Sequence, residues 1–174
     1  MDAQNSHASK LFDVKHYIDI VDYHPRYTED TLRMWRESKA FALGKAESQS
    51  LASHRYYLNR VLAACNDIYL AVERQSGQVL GMIATDGESI TQLYVAPDAQ
   101  RQGIGSCLVE LAKESANNGL MLYTVEINQQ AREFWQKQGF TECETKTFTC
   151  DEGMIDVLCE WQPKALAEHS RMGG

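Results

Sequence analysis

Ile90-Thr-Gln-Leu-Tyr-Val-Ala-Pro-Asp-Ala-Gln-Arg-Gln-Gly-Ile-Gly-Ser-Cys-Leu-Val-Glu-Leu-Ala-Lys113 is the stretch that decides the fold of this chain. The β-branched and aromatic residues at 90–95 predict a strand, and the proline that follows ends it because proline lacks a ladder N–H. After the two glycines, Ile104, Leu108 and Leu111 recur at the spacing of one helix face. The stretch therefore predicts a strand that leads through a glycine-containing loop into an amphipathic helix.

The loop at the start of this helix has the chemistry of an anion site. The first backbone N–H groups of a helix have no partner within it, and the helix dipole places partial positive charge there. Gly103 and Gly105 lack a Cβ, so a phosphate can approach the backbone, and Arg101 adds a cation. Two glycines also serve tight strand-to-helix packing. The dinucleotide fingerprint fails, because Leu108 stands at its third glycine, and the Lys-Ser/Thr of a Walker loop is absent.

Two motifs in this chain resemble those of one enzyme family. The segment Gln100-Arg-Gln-Gly-Ile-Gly105 resembles the Q/R-x-x-G-x-G/A signature of the GNAT superfamily of N-acetyltransferases. Farther along, Asn128-Gln-Gln-Ala-Arg-Glu-Phe-Trp-Gln-Lys-Gln-Gly-Phe140 is similar to the N-x-x-A-x-x-F-Y-x-x-x-G-F segment of that family. The resemblance spans roughly residues 14–161, and the site it implies for the loop holds the pyrophosphate of coenzyme A.

Composition predicts an ordinary globular chain. Its 174 residues are 44% apolar, which is enough for one domain with a sizeable core. We expect disordered or flexible tails at 1–11 and 163–174 around a domain at 12–162. The net charge of −7 argues against nucleic acid or an acidic membrane as a partner. Five scattered cysteines without metal-ligand spacing predict reduced thiols, a cytoplasmic location and no metal.

The pattern along the chain, with the resemblance, predicts an α/β (α+β) domain of the GNAT type. A mostly antiparallel sheet of about seven strands with a splayed central pair is expected, flanked by about four helices. Asp86-Gly87 predicts a two-residue hairpin, and a turn at 151–153 predicts the last one. The expected strands are 17–23, 68–73, 79–85, 90–95, 121–126, 140–148 and 154–161, and the expected helices are 28–44, 51–64, 104–116 and 131–138.

The first two helices flank the acceptor side in the resembled family, but they carry no recognisable motif. Thr28 is a candidate cap for the first helix, whose apolar stripe is interrupted at Ser38 and Lys39. In the second helix, His54 and Arg55 face either a cleft or the edge of the core. The sequence thus leaves the identity of the acceptor open.

The resemblance implies transfer of an acetyl group from acetyl-CoA to a primary amine of a small molecule, amino acid or peptide, by direct attack on the thioester. Backbone N–H groups of the loop would hold the pyrophosphate, and the strand edge near Val95 would pair with the pantetheine arm. The Val95 N–H would donate to the developing oxyanion. The implied cofactor-binding residues are Leu93, Tyr94, Val95, Gln100, Arg101, Gln102, Gly103, Ile104, Gly105, Ser106, Asn128 and Phe134.

The chain departs from the family pattern at the general acid. Many relatives have tyrosine where this chain has Trp135, and an indole N–H is not a usable acid at neutral pH. Tyr94, a water or an unassisted thiolate are the alternatives for this role. Glu88 and Glu126 are the candidate bases. A longer acyl donor, a non-catalytic acyl-CoA-binding module and a homodimer remain open on the sequence.

Overall fold

A computed structural model describes residues 14–149 and 155–163, which form two antiparallel sheets. The first sheet has the order β1-β2-β3-β4 and the second the order β5-β7-β6. The predicted tails at 1–11 and beyond 163, the turn at 151–153 and the strand start at 154 lie outside the described residues. The strands are β1 (Ile18–Asp22), β2 (Asp67–Glu73), β3 (Val79–Thr85), β4 (Ile90–Val95), β5 (Leu120–Val125), β6 (Thr141–Thr149) and β7 (Ile155–Trp161).

In the described residues, four helices of nine or more residues flank the sheets. Helix α1 spans Thr28–Leu43, α3 spans Ile104–Ser115 and α4 spans Gln129–Lys137. Helix α2 consists of an α segment Leu51–Tyr56, a π segment Tyr57–Leu62 and a last α turn Ala63–Cys65. No helix in the described ranges has the length and apolar composition needed to cross a membrane.

The predicted splay between two central strands is confirmed. Strands β4 and β5 run parallel and meet at one bridge, between Ser89 and Met121, where the Met121 N–H donates to the Glu88 carbonyl at 3.0 Å. Beyond this bridge the two strands belong to different sheets. The edge of β4 is therefore open toward β5 along most of its length.

Two clusters of buried side chains cover opposite faces of the first sheet. Alternation along β3 directs Ile83 into the cluster beneath α3, which includes Ile104, and Met82 into the cluster beneath α1 and α2. Trp35 of α1 lies in this second cluster. Helix α3, which begins at the glycine loop, and helices α1 and α2 thus pack on different faces of the first sheet.

Two local predictions were wrong. The β3–β4 connection covers residues 86–89, because the Asp86 carboxylate accepts from the N–H groups of Glu88 (3.0 Å) and Ser89 (2.6 Å) and widens the turn. Thr28 does not cap α1 but lies inside it, where its hydroxyl contacts that of Tyr23 at 2.7 Å. The predicted helix at 51–64 is present as α2, although its geometry changes to π after residue 56.

Candidate active site

The loop between β4 and α3 has the backbone conformation of a helix start that is open to a ligand. Gly103 precedes α3 with a φ of 96°, a left-handed conformation that glycine adopts without strain. Arg101 has a φ of 61°, which is uncommon for a residue with a Cβ. In the described part of the chain, the Arg101 side chain forms no hydrogen bond or ion pair. The loop therefore presents the unpaired N–H groups of the first turn of α3 beside the guanidinium of Arg101, which is available to a ligand.

Gly105 lies in the first turn of α3 against an aromatic ring. A Cβ at this position would lie 3.2 Å from the nearest Phe134 ring atom and 3.7 Å from Cγ2 of Val95. The Phe134 distance is tighter than an ordinary van der Waals contact, whereas the Val95 distance is an ordinary one. Glycine therefore lets the Phe134 ring of α4 approach α3 closely at this position.

The open edge of β4 presents backbone groups of Val95 to the gap between the strands. The Ala96 N–H donates to the Leu80 carbonyl at 2.8 Å, so the next pair, Val95 and Gly81, is of the non-hydrogen-bonded type. The N–H and C=O of Val95 consequently point away from β3. The carbonyl accepts from Ser38 Oγ at 3.0 Å and from Gln100 Nε2 at 3.2 Å.

A cleft of about 690 Å³ joins the loop, β4 and α4. Two of the twelve predicted cofactor residues have side chains elsewhere: Ile104 is in the core, and Gln102 Oε1 accepts from the Tyr17 hydroxyl at 2.9 Å. Their predicted roles concern backbone N–H groups rather than side chains. The ten that line the cleft are Leu93, Tyr94, Val95, Gln100, Arg101, Gly103, Gly105, Ser106, Asn128 and Phe134.

A second cleft, of about 390 Å³, lies in the gap between β4 and β5. Its lining includes Gln92 and Tyr94 from β4, Tyr123 from β5, and Lys39 from the last turns of α1. Tyr94 and Trp135 line both clefts. The two clefts are therefore adjacent and share part of their walls.

The residues of the second motif shape α4 rather than supply acid–base groups. Asn128 Oδ1 caps the helix by accepting from the Ala131 N–H at 3.1 Å. Trp135 is buried, and its ring centroid lies 5.0 Å from that of Phe134 and 5.2 Å from that of Phe140. This aromatic packing fixes the wall of the cleft opposite β4.

The structure separates the predicted catalytic residues. The Tyr94 ring packs 5.5 Å from the Trp35 ring, and burial raises the pKa of the Tyr94 hydroxyl above its ordinary value. Glu88 is exposed in the β3–β4 connection, seven residues from Val95, or about 23 Å along an extended strand. Glu126 is exposed after β5. The structure thus brings Tyr94 to the clefts and leaves both glutamates outside their linings.

Sequence reasoning missed a polar group on the α1 side. Lys39 Nζ lies 3.0 Å from Glu47 Oε2, and the Glu47 side chain is only 4% exposed. Nearby, His54 is buried with its ring centroid 4.3 Å from that of Trp35, and burial lowers the pKa of this histidine. In the sequence, the interruption of the apolar stripe of α1 at Ser38 and Lys39 and the helix position of His54 were the signals of this group, and Glu47 had none.

Comparison with known proteins decides the family. Residues 43–157 match the family described as Acetyltransferase (GNAT) domain. The chain belongs to the GNAT acetyltransferase family. This confirms the resemblance and, with the two sheets and the splay, the predicted fold class.

Two curated relatives of this GNAT chain are peptidyl-lysine N-acetyltransferases. YiaC of Escherichia coli (strain K12) is 33% identical over 90 residues, which cover 48% of this chain and 61% of that protein. YjaB of Salmonella typhimurium is 41% identical over 73 residues, which cover 42% of this chain and 49% of that protein. The chain thus matches about half to three fifths of the length of these relatives.

Solved structures share the fold at low identity. The solution structure of apo-form YjaB from Escherichia coli has a TM-score of 0.67 at 22% identity, covering 83% of this chain and 97% of that one. A PaiA N-acetyltransferase from Thermoplasma acidophilum, solved in complex with coenzyme A, has a TM-score of 0.57 at 17% identity over 83% and 99% of the two chains. These similarities support the fold alone.

Proposed function

We propose that this GNAT protein is an acetyl-CoA-dependent N-acetyltransferase that acetylates the side-chain amine of lysine in peptides or proteins. Membership of the family supports the reaction class, and two partial relatives that are peptidyl-lysine N-acetyltransferases support the acceptor class. The observation that carries the proposal is the open edge of β4, which ends at a glycine loop and a helix N-terminus. One cleft lined by these elements accommodates an elongated donor that has a phosphorylated end.

The residues present fit coenzyme A. A pyrophosphate needs donors and positive charge, which the N–H groups at 102–106, the α3 dipole and Arg101 supply. A pantetheine arm contains amides, which match the outward N–H and C=O groups of β4 in the manner of an added strand. Gly105 has no Cβ, so its own side chain does not cover the start of α3, which the Phe134 ring already approaches closely.

Acetyl-CoA, when bound, supplies an activated acetyl thioester. In our proposal the outward N–H of Val95 stabilises the oxyanion that develops at the acyl carbonyl. Ser38 and Gln100 position this strand segment, because both donate to the Val95 carbonyl. The amine enters from the second cleft, between β4 and β5, so that donor and acceptor meet at the splay.

The proposed reaction also requires two proton transfers. A lysine amine must lose a proton before it attacks, and the leaving thiolate takes one up. Trp135 replaces the usual tyrosine acid, so we propose Tyr94 or solvent as the proton source. Glu88 is the base that the sequence suggests, but it is exposed and lines neither cleft, so we propose solvent as the acceptor of the amine proton.

A thiol-release assay with acetyl-CoA and a panel of amines tests the proposal. We expect release of CoA with a peptide that has one internal lysine and a blocked N-terminus, at a higher kcat/KM than with polyamines, aminoglycosides or free amino acids. Release with another amine class alone would change the acceptor assignment. Tight acetyl-CoA binding without release on any acceptor would favour a non-catalytic binding module, and faster release from longer acyl-CoA donors would change the donor.

A further inference from the structure

One member of an enclosed ion pair, Lys39, lines the cleft between β4 and β5, and its partner Glu47 lies behind it. Lys39, Ala42 and Leu43 lie on one stripe of α1, and all three line this cleft. The preceding residue, Ser38, donates to the carbonyl of Val95 at 3.0 Å. Lys39 thus follows directly after a residue that contacts β4. This is the strand whose Val95 N–H we assign to the acyl carbonyl.

The partner of Lys39 is an enclosed carboxylate. Glu47 belongs to the loop between α1 and α2, yet its side chain is only 4% exposed. Its Oε2 lies 3.0 Å from Lys39 Nζ, and its Oε1 accepts from the Gln49 N–H at 3.2 Å. Burial opposes ionisation, but the Lys39 and Gln49 contacts outweigh burial and lower the pKa of Glu47.

Two other basic side chains, Arg36 and His54, lie in this region, but Lys39 is the one that pairs with the Glu47 carboxylate. Arg36 points its Nη1 to the Gln49 carbonyl at 2.9 Å, which anchors the loop to α1. The His54 imidazole is buried, and its lowered pKa favours the neutral form at pH 7. The ammonium of Lys39 is therefore the cation that Glu47 contacts directly.

An exposed ion pair on the same helix differs from the 39–47 pair in how strongly water screens its charges. Asp30 and Arg33 form a pair with side chains 43% and 51% exposed, where water screens the charges and little free energy is gained. An enclosed carboxylate is costly without a cation, because water no longer solvates it. In the 39–47 pair, an ammonium group thus balances the charge of an enclosed carboxylate.

We propose that Glu47 is the carboxylate that recognises the ammonium group of the acceptor, and that Lys39 occupies this position in the free protein as an internal competitor. The proposal rests on the proposed function and deepens it, because it assigns a specificity-determining residue to the acceptor side. An acceptor lysine presents the same ammonium on the same four-carbon stem as Lys39. The exchange replaces one ion pair with an equivalent one, and the flexible Lys39 side chain, 28% exposed, turns toward solvent.

A purely structural ion pair predicts a different result. If the pair only anchors the loop, loss of either partner loosens the acceptor side and both changes weaken acceptor binding. If Lys39 competes with the acceptor, its removal exposes an unpaired carboxylate and strengthens binding, whereas removal of Glu47 weakens it. The sign of the effect separates the two explanations.

The test uses the full chain with Lys39→Met, Glu47→Gln, the double variant and Arg33→Met as a matched control in an exposed pair on the same helix. The acceptor probe is a blocked peptide with one internal lysine. We expect Lys39→Met to lower its KM about threefold or more and Glu47→Gln to raise it about tenfold, the usual effect of losing a charge-assisted hydrogen bond. The double variant should lose the gain of Lys39→Met, and the KM for acetyl-CoA should stay within twofold.

A second measurement is independent of turnover. Butylammonium should raise the Tm of Lys39→Met more than that of the wild type, and the double variant should lose this shift. Tetramethylammonium, which has no N–H donor, should act weakly on all of them. An increase in KM for both single variants, or equal butylammonium shifts with and without Glu47, would overturn the proposal. If no variant releases CoA with any amine, the proposed function fails, while the Tm series still decides whether Glu47 binds an ammonium.

Discussion

The proposed cofactor side and the proposed acceptor side present different chemical groups to their ligands. On the cofactor side, the loop before α3 and the edge of β4 offer backbone N–H and C=O groups, which glycines at 103 and 105 keep accessible. On the acceptor side, α1 and the following loop offer side chains, chiefly the pair of Lys39 and Glu47. Backbone recognition requires particular residue types at fixed spacing, whereas a pair of charges forms from any two positions that the fold brings together. In our proposal, the donor is therefore recognised mainly by backbone groups and the acceptor by side chains.

The largest expected effect comes from filling the helix start. Gly105→Glu places bulk against the Phe134 ring, where even a Cβ would lie at 3.2 Å, and adds negative charge where a pyrophosphate would bind. We expect at least a hundredfold loss of acetyl-CoA affinity by isothermal titration calorimetry, with the circular dichroism spectrum retained. Ser115→Glu, at the far end of the same helix, is the control, and an equal loss there would remove the site from the loop.

A smaller loss is expected from the cation of the loop. Arg101→Gly removes the guanidinium and also relaxes the φ of 61°, so the backbone is not the cause of any loss. Acetyl-CoA affinity should fall about tenfold, as for a charge-assisted contact to phosphate. Arg101→Lys should recover part of the affinity. Unchanged affinity and unchanged salt dependence for Arg101→Gly would show that the backbone binds the phosphate alone.

Tyr94 lines both clefts, and its substitution should change the pH dependence of the free energy of unfolding more than it changes kcat. Because burial raises its pKa, the stability that comes from the neutral hydroxyl is complete below pH 10 and is lost as the pH rises through the raised value. Tyr94→Phe should reduce this alkaline loss in urea unfolding at pH 8 and pH 11. Tyr56→Phe, at an exposed tyrosine, should not reduce it. A hundredfold drop in kcat for Tyr94→Phe at pH 7.5 would instead support an acid role.

The smallest effect is expected at Glu88. Its exposed place in the β3–β4 connection predicts that Glu88→Gln changes kcat no more than twofold across pH 6–9. A general base normally contributes about a hundredfold or more, so a loss of that size would establish Glu88 as the base. Glu126→Gln provides the comparison at the other exposed glutamate predicted from the sequence.

Most of the fold followed from local patterns. The seven strands and the helix after Gly103 were predictable because period-two and helical spacing reflect which face is buried. The splay between β4 and β5 was inferred from the family resemblance rather than from spacing. The wide turn after β3 was missed because the Asp86 carboxylate competes for backbone N–H groups, which the Asp-Gly pair does not reveal.

The candidate site was predictable only where it depends on backbone. Ten of the twelve predicted cofactor residues line one cleft because the loop motif and Asn128 fix positions in the chain. The pair of Lys39 and Glu47 was not predictable, since it joins a helix to a loop whose path depends on Arg36 and on the cap at Ser50. The burial of His54 likewise depends on how α2 packs against Trp35.

The central claim is that the start of α3 binds the pyrophosphate of the donor. Amide NMR of the 15N-labelled protein, titrated with acetyl-CoA and with S-acetylpantetheine, which lacks the pyrophosphate, tests it directly. We expect the amides of Gly103 and Gly105 to shift strongly with acetyl-CoA and weakly with S-acetylpantetheine, while Val95 shifts with both. Saturable acetyl-CoA binding that leaves the Gly103 and Gly105 amides unshifted would contradict the account.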